Sequence, residues 1–182
     1  MADVTTSQRP CPDGLERLRG IEDLYRAHAP GLLAFLVARL NDAQLAEDVL
    51  HDVFLACLRS EMHMIVSPKA YLFSAAHRLS LNILRDLAVA RRARGALERH
   101  TGAWSAAEGA DPLVVEEARK AMDQLPNDER EVLALRVYGE LTFQEIAELR
   151  GQPLTTVHRR HSQAIAAMRS ALDGAKCRGG GA

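Results

Sequence analysis

The chain has 182 residues, enough for one ordinary domain or two small ones, with apolar residues at 47% and aromatics at only 4%. Its 23 Lys and Arg against 24 Asp and Glu leave a formal net charge of −1, so bulk positive charge does not mark it as a nucleic-acid binder and the distribution of charge must decide. Three far-apart cysteines without a CxxC pair exclude a disulfide framework and a cysteine zinc site; no apolar run reaches membrane-spanning length, and the start lacks a basic-then-apolar leader, so a cytoplasmic location without membrane insertion is expected.

Ala, Leu, Arg and Glu dominate, and no strand-like alternation persists, so the fold class is read as all-α. Residues 1–20 are polar, carry Pro10 and Pro12, and are expected to be disordered. Ile21 to Leu40 predicts a helix with Leu24, Ala27, Leu32, Phe35, Leu36 and Leu40 on its apolar side and a bend at Pro30-Gly31. Asn41-Asp42 breaks the pattern and offers an N-cap. Leu45 to Leu58 is strongly amphipathic, with Leu45, Val49, Val53 and Leu58 inward and Phe54 and Leu55 nearby. After a loop to about Val66, Ser67-Pro68 starts a helix that runs to about Arg94, with Tyr71, Leu72, Ala75, Leu79, Ile83 and Leu87 inward. These three helices, residues 21–96, make a small bundle.

Residues 97–111 lose periodicity and read as a flexible linker. A second helical domain, residues 112–173, begins at Asp111-Pro112 with a helix to about Gln124. Leu125-Pro126-Asn127 caps a helix from Asp128 to about Tyr138, and Thr142-Phe-Gln-Glu145 forms a capping box for the next. A turn at Gly151 and a last helix, about Thr155 to Leu172, complete a helix-turn-helix; residues 174–182 read as a flexible tail. Ala147, Gly151 and Val157 stand where this motif needs a small residue, a turn residue and a β-branched core residue.

The last helix carries the sharpest functional signal. Val157, His161, Ala164, Ile165, Met168 and Leu172 mark one face, while Thr155, Thr156, His158, Arg159, Ser162 and Gln163 occupy the other, with Arg160 at the edge. No acidic residue occurs from Leu149 to Leu172. Arg bonds guanine bidentately, Gln reads adenine, and Thr or Ser takes phosphate or a thymine methyl, so this face suits the DNA major groove. A solvated basic helix is the plainer alternative. His158 and His161 lack a third ligand, so no metal is assigned to them.

Two other clusters are ambiguous alone. Glu47, Asp48, His51 and Asp52 line the polar side of the second helix and, taken alone, read first as a solvated acidic face. Lys69, Tyr71, Phe73, His77, Arg78, Asn82 and Arg85 combine basic and aromatic groups suited to phosphate and unpaired bases, or to the rim of an ordinary bundle helix. No phosphate loop, metal constellation or nucleophile arrangement is visible, so no cofactor, no small-molecule substrate and no enzymatic activity are expected.

Three stretches resemble the sigma-70 family of bacterial transcription initiation factors, in its short extracytoplasmic-function type. AEDVLHDVF is similar to the family's AEDLVQEVF helix, and YLFSAAHRLSLNILRD to its WLYRIARNLALDYLRR helix. LPNDEREVLALRVYGELTFQEIAELRGQPLTTVHRR is similar to its LP-x-x-x-R-x-V-x-x-L…GLSYxEIAExLGxxxGTVKSR stretch. The resemblance covers residues 21–94 and 113–172, the family's second and fourth conserved regions. It implies core RNA polymerase and promoter DNA as partners, with an anti-sigma factor as a common restraint. Glu47, Asp48, His51, Asp52 and Phe54 would then grip the polymerase clamp. Met62, His63 and Met64, with Lys69, Tyr71, Phe73, His77, Arg78, Asn82 and Arg85, would engage and melt the −10 element. Thr155, Thr156, His158, Arg159, Arg160, Ser162 and Gln163 would read the −35 element. The linker would let two modules touch separated DNA sites.

Departures from the family pattern are His51 for Gln, Arg78 for Asn, Asn82 for Asp, His161 for an apolar residue and Thr155 for Gly. The short loop before SPKAYLF, and Arg78, look like the iron-uptake subgroup. The competing readings are a free-standing helix-turn-helix regulator on a palindromic operator and an adaptor that holds another protein through the acidic helix.

Overall fold

The computed structural model describes residues 14–59, 67–94 and 112–179. Among them are seven helices and no strand: α1 (Gly14–Leu40), α2 (Ala43–Arg59), α3 (Pro68–Arg94), α4 (Pro112–Gln124), α5 (Asn127–Val137), α6 (Phe143–Arg150) and α7 (Leu154–Gly179). The expected loop at 60–66 and the linker at 97–111 lie outside the described residues.

The turns follow local chemistry. Asn41 takes the left-handed conformation, φ 55°, that ends α1, and its N–H donates to the Val37 carbonyl at 2.9 Å. Asp42 Oδ1 then accepts the Leu45 N–H at 3.0 Å and caps α2. Ser67 Oγ accepts the Ala70 N–H at 3.4 Å at the start of α3. Pro30 sits on the exposed side of α1 without ending it, because buried Ala29, Leu32 and Leu36 hold both flanks of the helix in the core. Between α4 and α5, Arg130 donates to the Asp123 and Leu125 carbonyls, each at 3.0 Å, satisfying orphan groups of the α4 terminus.

Helices α1–α3 bury Leu32, Phe35, Leu36, Ala46, Val49, Val53, Leu72 and Ala76. Helices α4–α7 bury Met122, Leu125, Val132, Leu135, Leu141, Ile146, Val157 and Ala164. The two groups are in direct contact, α5 packing on α1 and α6 touching α3, and their apolar interiors join into one cluster. The junction rests on small residues. A Cβ on Gly31 would collide with the Tyr138 carbonyl oxygen, and one on Gly139 would crowd Leu135 and the Phe73 ring.

Several expectations need correction. Residues 14–20 are helical rather than disordered, since α1 starts at Gly14, and α7 continues through 174–179 rather than ending in a flexible tail. Ala27, Leu58 and Leu87 are exposed, each lying beyond the arc its neighbours bury. Pro126 caps α5 through backbone geometry without a side-chain hydrogen bond.

Candidate nucleic-acid interface

The helix-turn-helix is built by α6 and α7. Thr142 Oγ1 accepts the Glu145 N–H at 3.2 Å, and Glu145 Oε2 accepts the Thr142 N–H at 2.7 Å, completing the capping box. These bonds, from the Thr142 backbone first and then its hydroxyl, hold the Glu145 carboxyl below its ordinary range. Gly151 stops α6 at φ 60°, ψ 39°, while the Gln152 N–H reaches back to the Ala147 carbonyl at 2.9 Å. Buried Ile146, Ala147 and Val157 then lock α7 across α6.

On the outer side of α7, Thr155, His158, Arg159, Ser162 and Gln163 are exposed, and Thr156 is half-buried. Arg159 Nη1 donates to Gln163 Oε1 of its own helix at 3.5 Å. Arg160 differs: it pairs with Asp128 at 2.7 Å and donates to Gln152 at 2.8 Å. The spacing sets Arg160 at the edge of this face, and the family resemblance gives it a −35 role alongside Arg159. The structure instead ties it back to α5, because its position on the helix overlooks Asp128. Arg150, also counted with the acid-free stretch, is buried against Asp128 and Glu131.

On α2, Glu47, Asp48, His51 and Asp52 form an exposed acidic strip. Phe54 does not join it. It is buried under Tyr25, ring centroids 4.8 Å apart, since the inward arc of α2 runs through Ala46, Val49, Leu50, Val53, Phe54 and Cys57. The half-exposed Tyr25 ring is the aromatic beside this strip, and its place there could not be read from spacing within α2.

On α3 the expected set divides. Arg78, Asn82 and Arg85 are exposed, and Tyr71 is half-buried. Lys69 lies 3.5 Å from Glu140 Oε2 and donates to the Glu140 carbonyl at 3.2 Å. Phe73 is a core residue, packed 5.7 Å from Phe35, so it stacks on no base in this arrangement. His77 faces α5, not solvent. Met62, His63 and Met64 lie outside the described residues.

The partner of His77 is Glu131, which sequence reasoning missed. Its side chain is 8% exposed and meets Arg39 of α1 (7%), His77 of α3 and Arg150 of α6 (5%). His77 Nδ1 is 2.6 Å and Arg150 Nη1 3.0 Å from its carboxyl oxygens. Burial opposes ionisation most strongly. The His77 contact and the charges of Arg39 and Arg150 outweigh it together and bring Glu131 down to about 2. The available signal was Arg39 itself, a charge inside the apolar run AFLVARL. Among the described residues, no group of three or more His, Cys, Asp or Glu is placed to hold a metal.

Taken together, α6 and α7 form a helix-turn-helix with an exposed outer face, and the three-helix bundle carries a separate exposed acidic strip, an arrangement of the class of helix-turn-helix transcription proteins. Residues 24–90 match the family described as sigma-70 region 2, and residues 116–168 match sigma-70, region 4. The chain is 30% identical to RNA polymerase sigma factor CarQ of Myxococcus xanthus over 146 residues, 75% of this chain and 83% of that protein. It is 29% identical to the ferric citrate uptake sigma factor FecI of Escherichia coli over 148 residues, 79% of this chain and 86% of that one. The fold is similar to sigma factor RpoE of Bartonella quintana, solved in complex with the anti-sigma factor NepR, at TM-score 0.75 and 19% identity over 85% of this chain and 98% of that one. It is also similar to CnrH in complex with the cytosolic domain of CnrY, at TM-score 0.60 and 21% identity over 88% and 95%. The chain belongs to the sigma-70 family, in its extracytoplasmic-function type, and acts as a sigma factor in promoter-specific transcription initiation.

Proposed function

We propose that this sigma factor divides its work among three surfaces. The strip Glu47, Asp48, His51 and Asp52 binds core RNA polymerase. Lys69, Tyr71, Arg78, Asn82 and Arg85, with the segment bearing Met62, His63 and Met64, takes the −10 element. Thr155, Thr156, His158, Arg159, Ser162 and Gln163 read the −35 element. The first module is built on α1–α3 and the second on α4–α7, and the protein works in the cytoplasm without catalysing a reaction itself. The observation that carries this reading is the outward face of α7, exposed on a capped helix-turn-helix and free of acidic side chains from Leu154 to Leu172.

The physical division of labour is coherent. Each good bidentate contact in duplex DNA supplies about 1–3 kcal/mol of discrimination. Extruding a base at the −10 element costs a few kcal/mol, offset by stacking and a pocket for the flipped base. His77 is occupied against Glu131 of α5, so its use on DNA requires α4–α7 to move off α3, while Phe73 is buried against Phe35 of α1. We also propose an anti-sigma factor as a restraining partner, as in the RpoE complex with NepR. Membership of the iron-uptake subgroup is a further proposal, resting on Arg78 and the short preceding loop.

The test is co-purification with core polymerase followed by run-off transcription and footprinting. Specific transcripts with protection at two separated upstream elements are expected. Tight operator binding by the chain alone would favour a free-standing regulator instead.

A further inference from the structure

Phe143 opens α6 directly after the Thr142 cap, and its ring is flanked by three side chains from two other helices. The His158 imidazole lies 4.2 Å from it, centroid to centroid, tilted by 46°. The His161 imidazole meets it edge-on at 5.0 Å and 71°. The Arg136 guanidinium carbon stands 5.2 Å from the ring centroid, and Arg136 Nη1 donates to the Leu141 carbonyl at 2.9 Å, fixing that cation in place. The cluster therefore ties α5, α6 and the recognition helix together at the edge of the exposed face.

The members behave differently. His161 is half-buried, and burial, then the charges of Arg136 and His158, push its imidazole below the ordinary histidine value. His158 stays exposed while its ring rests against Phe143. An exposed side chain held by an aromatic platform has already lost rotamer freedom before a ligand arrives. Arg159, with a 3.5 Å contact within its own helix, keeps that freedom.

We propose that Phe143 is a positioning residue for promoter reading: it sets the His158 imidazole at the duplex-facing side of α7, and the base preference that His158 contributes depends on the Phe143 ring. This rests on the reading of α7 as the −35 helix. A preset side chain favours one contact geometry over others, so removing the platform blurs discrimination at the bases His158 meets more than it weakens DNA binding in general.

The experiment uses the full chain reconstituted with core polymerase, probed with a library of promoter duplexes randomised over the upstream element. His158→Ala should reduce base preference at its positions by roughly tenfold. Phe143→Met, which keeps volume but removes the ring, should reduce preference at the same positions, add little on top of His158→Ala, and be rescued by Phe143→Tyr. If Phe143→Met lowers binding to all sequences equally, or its effect adds fully to that of His158→Ala, the positioning role is overturned. If His158→Ala leaves base preference unchanged, the underlying reading of His158 fails, and the inference with it. A measurement that needs no variant is the NMR shift of the His158 ring protons in the unmodified chain. Displacement by the Phe143 ring current is expected, and random-coil shifts would overturn the proposal.

Discussion

Glu131 of α5 and His77 of α3 meet across the junction of the two helical groups, with His77 Nδ1 2.6 Å from Glu131 Oε1. A helix of the C-terminal group, α5, thus holds His77 of α3, a residue of the N-terminal group that the sequence resemblance assigns to DNA contact. Arg39 and Arg150 complete the site, so one buried carboxylate joins α1, α3, α5 and α6.

Substituting Glu131→Gln removes the anion and leaves Arg39 and Arg150 buried without it. Breaking a buried pair from one side typically costs about 3–5 kcal/mol. A lower denaturation midpoint and a larger radius of gyration in solution scattering are expected, because separation of the two groups returns both guanidiniums to water. An unchanged radius and midpoint would show that the cluster does not hold the junction.

The same carboxyl gives a pH dependence. Its folded value, about 2, lies below the ordinary 4.5, so its contribution to stability is fully present above pH 4.5 and is lost as pH falls toward 2. Melting temperature should fall over that window in the unmodified chain and fall less steeply in Glu131→Gln. Parallel acid profiles would contradict this.

Gly31→Ala tests the junction without touching a charge. The added methyl meets the Tyr138 backbone carbonyl, which cannot rotate away as a side chain would. Overpacking of this kind costs about 1–3 kcal/mol. A lower melting temperature and an increased radius in solution scattering are expected, while helix content by circular dichroism stays constant.

Asp48→Arg and Asp52→Arg change exposed positions on α2, so folding stability should shift by less than about 0.5 kcal/mol. Affinity for core polymerase should fall at least tenfold for the reversal of charge at such an interface. Equal affinity in a pull-down titration would remove α2 from the polymerase interface.

Arg159→Ala and Arg160→Ala should separate. Arg159 faces outward, so its loss should reduce −35 discrimination by about 1–3 kcal/mol with little change in melting. Arg160 is bound to Asp128 and Gln152, so its loss should lower melting temperature and affect base preference less. Selection on randomised upstream duplexes, alongside thermal melts, distinguishes the two.

Much of the local structure was legible in the chain. Asp42, Ser67 and the Thr142–Glu145 pair cap their helices as their spacing implied, and Gly151 takes the left-handed turn. Periodicity also identified Val157 and Ala164 as the buried side of α7. These signals depend on residues within a few positions of one another. Phe54 stands within the acidic motif in sequence, but helical geometry turns its ring inward toward Tyr25.

The sequence by itself determined the all-α class, the helix-turn-helix, the exposed face of α7 and the family, because capping, periodicity and motif spacing are local. Only the tertiary structure decided that Phe73 lies in the core, that His77 and Arg39 converge on Glu131, and that Arg160 turns back to Asp128. Those facts depend on how distant helices come together. A charge finds its partner by proximity in space, and a helix whose two polar neighbours look alike in sequence gives no sign of which one a second helix will cover.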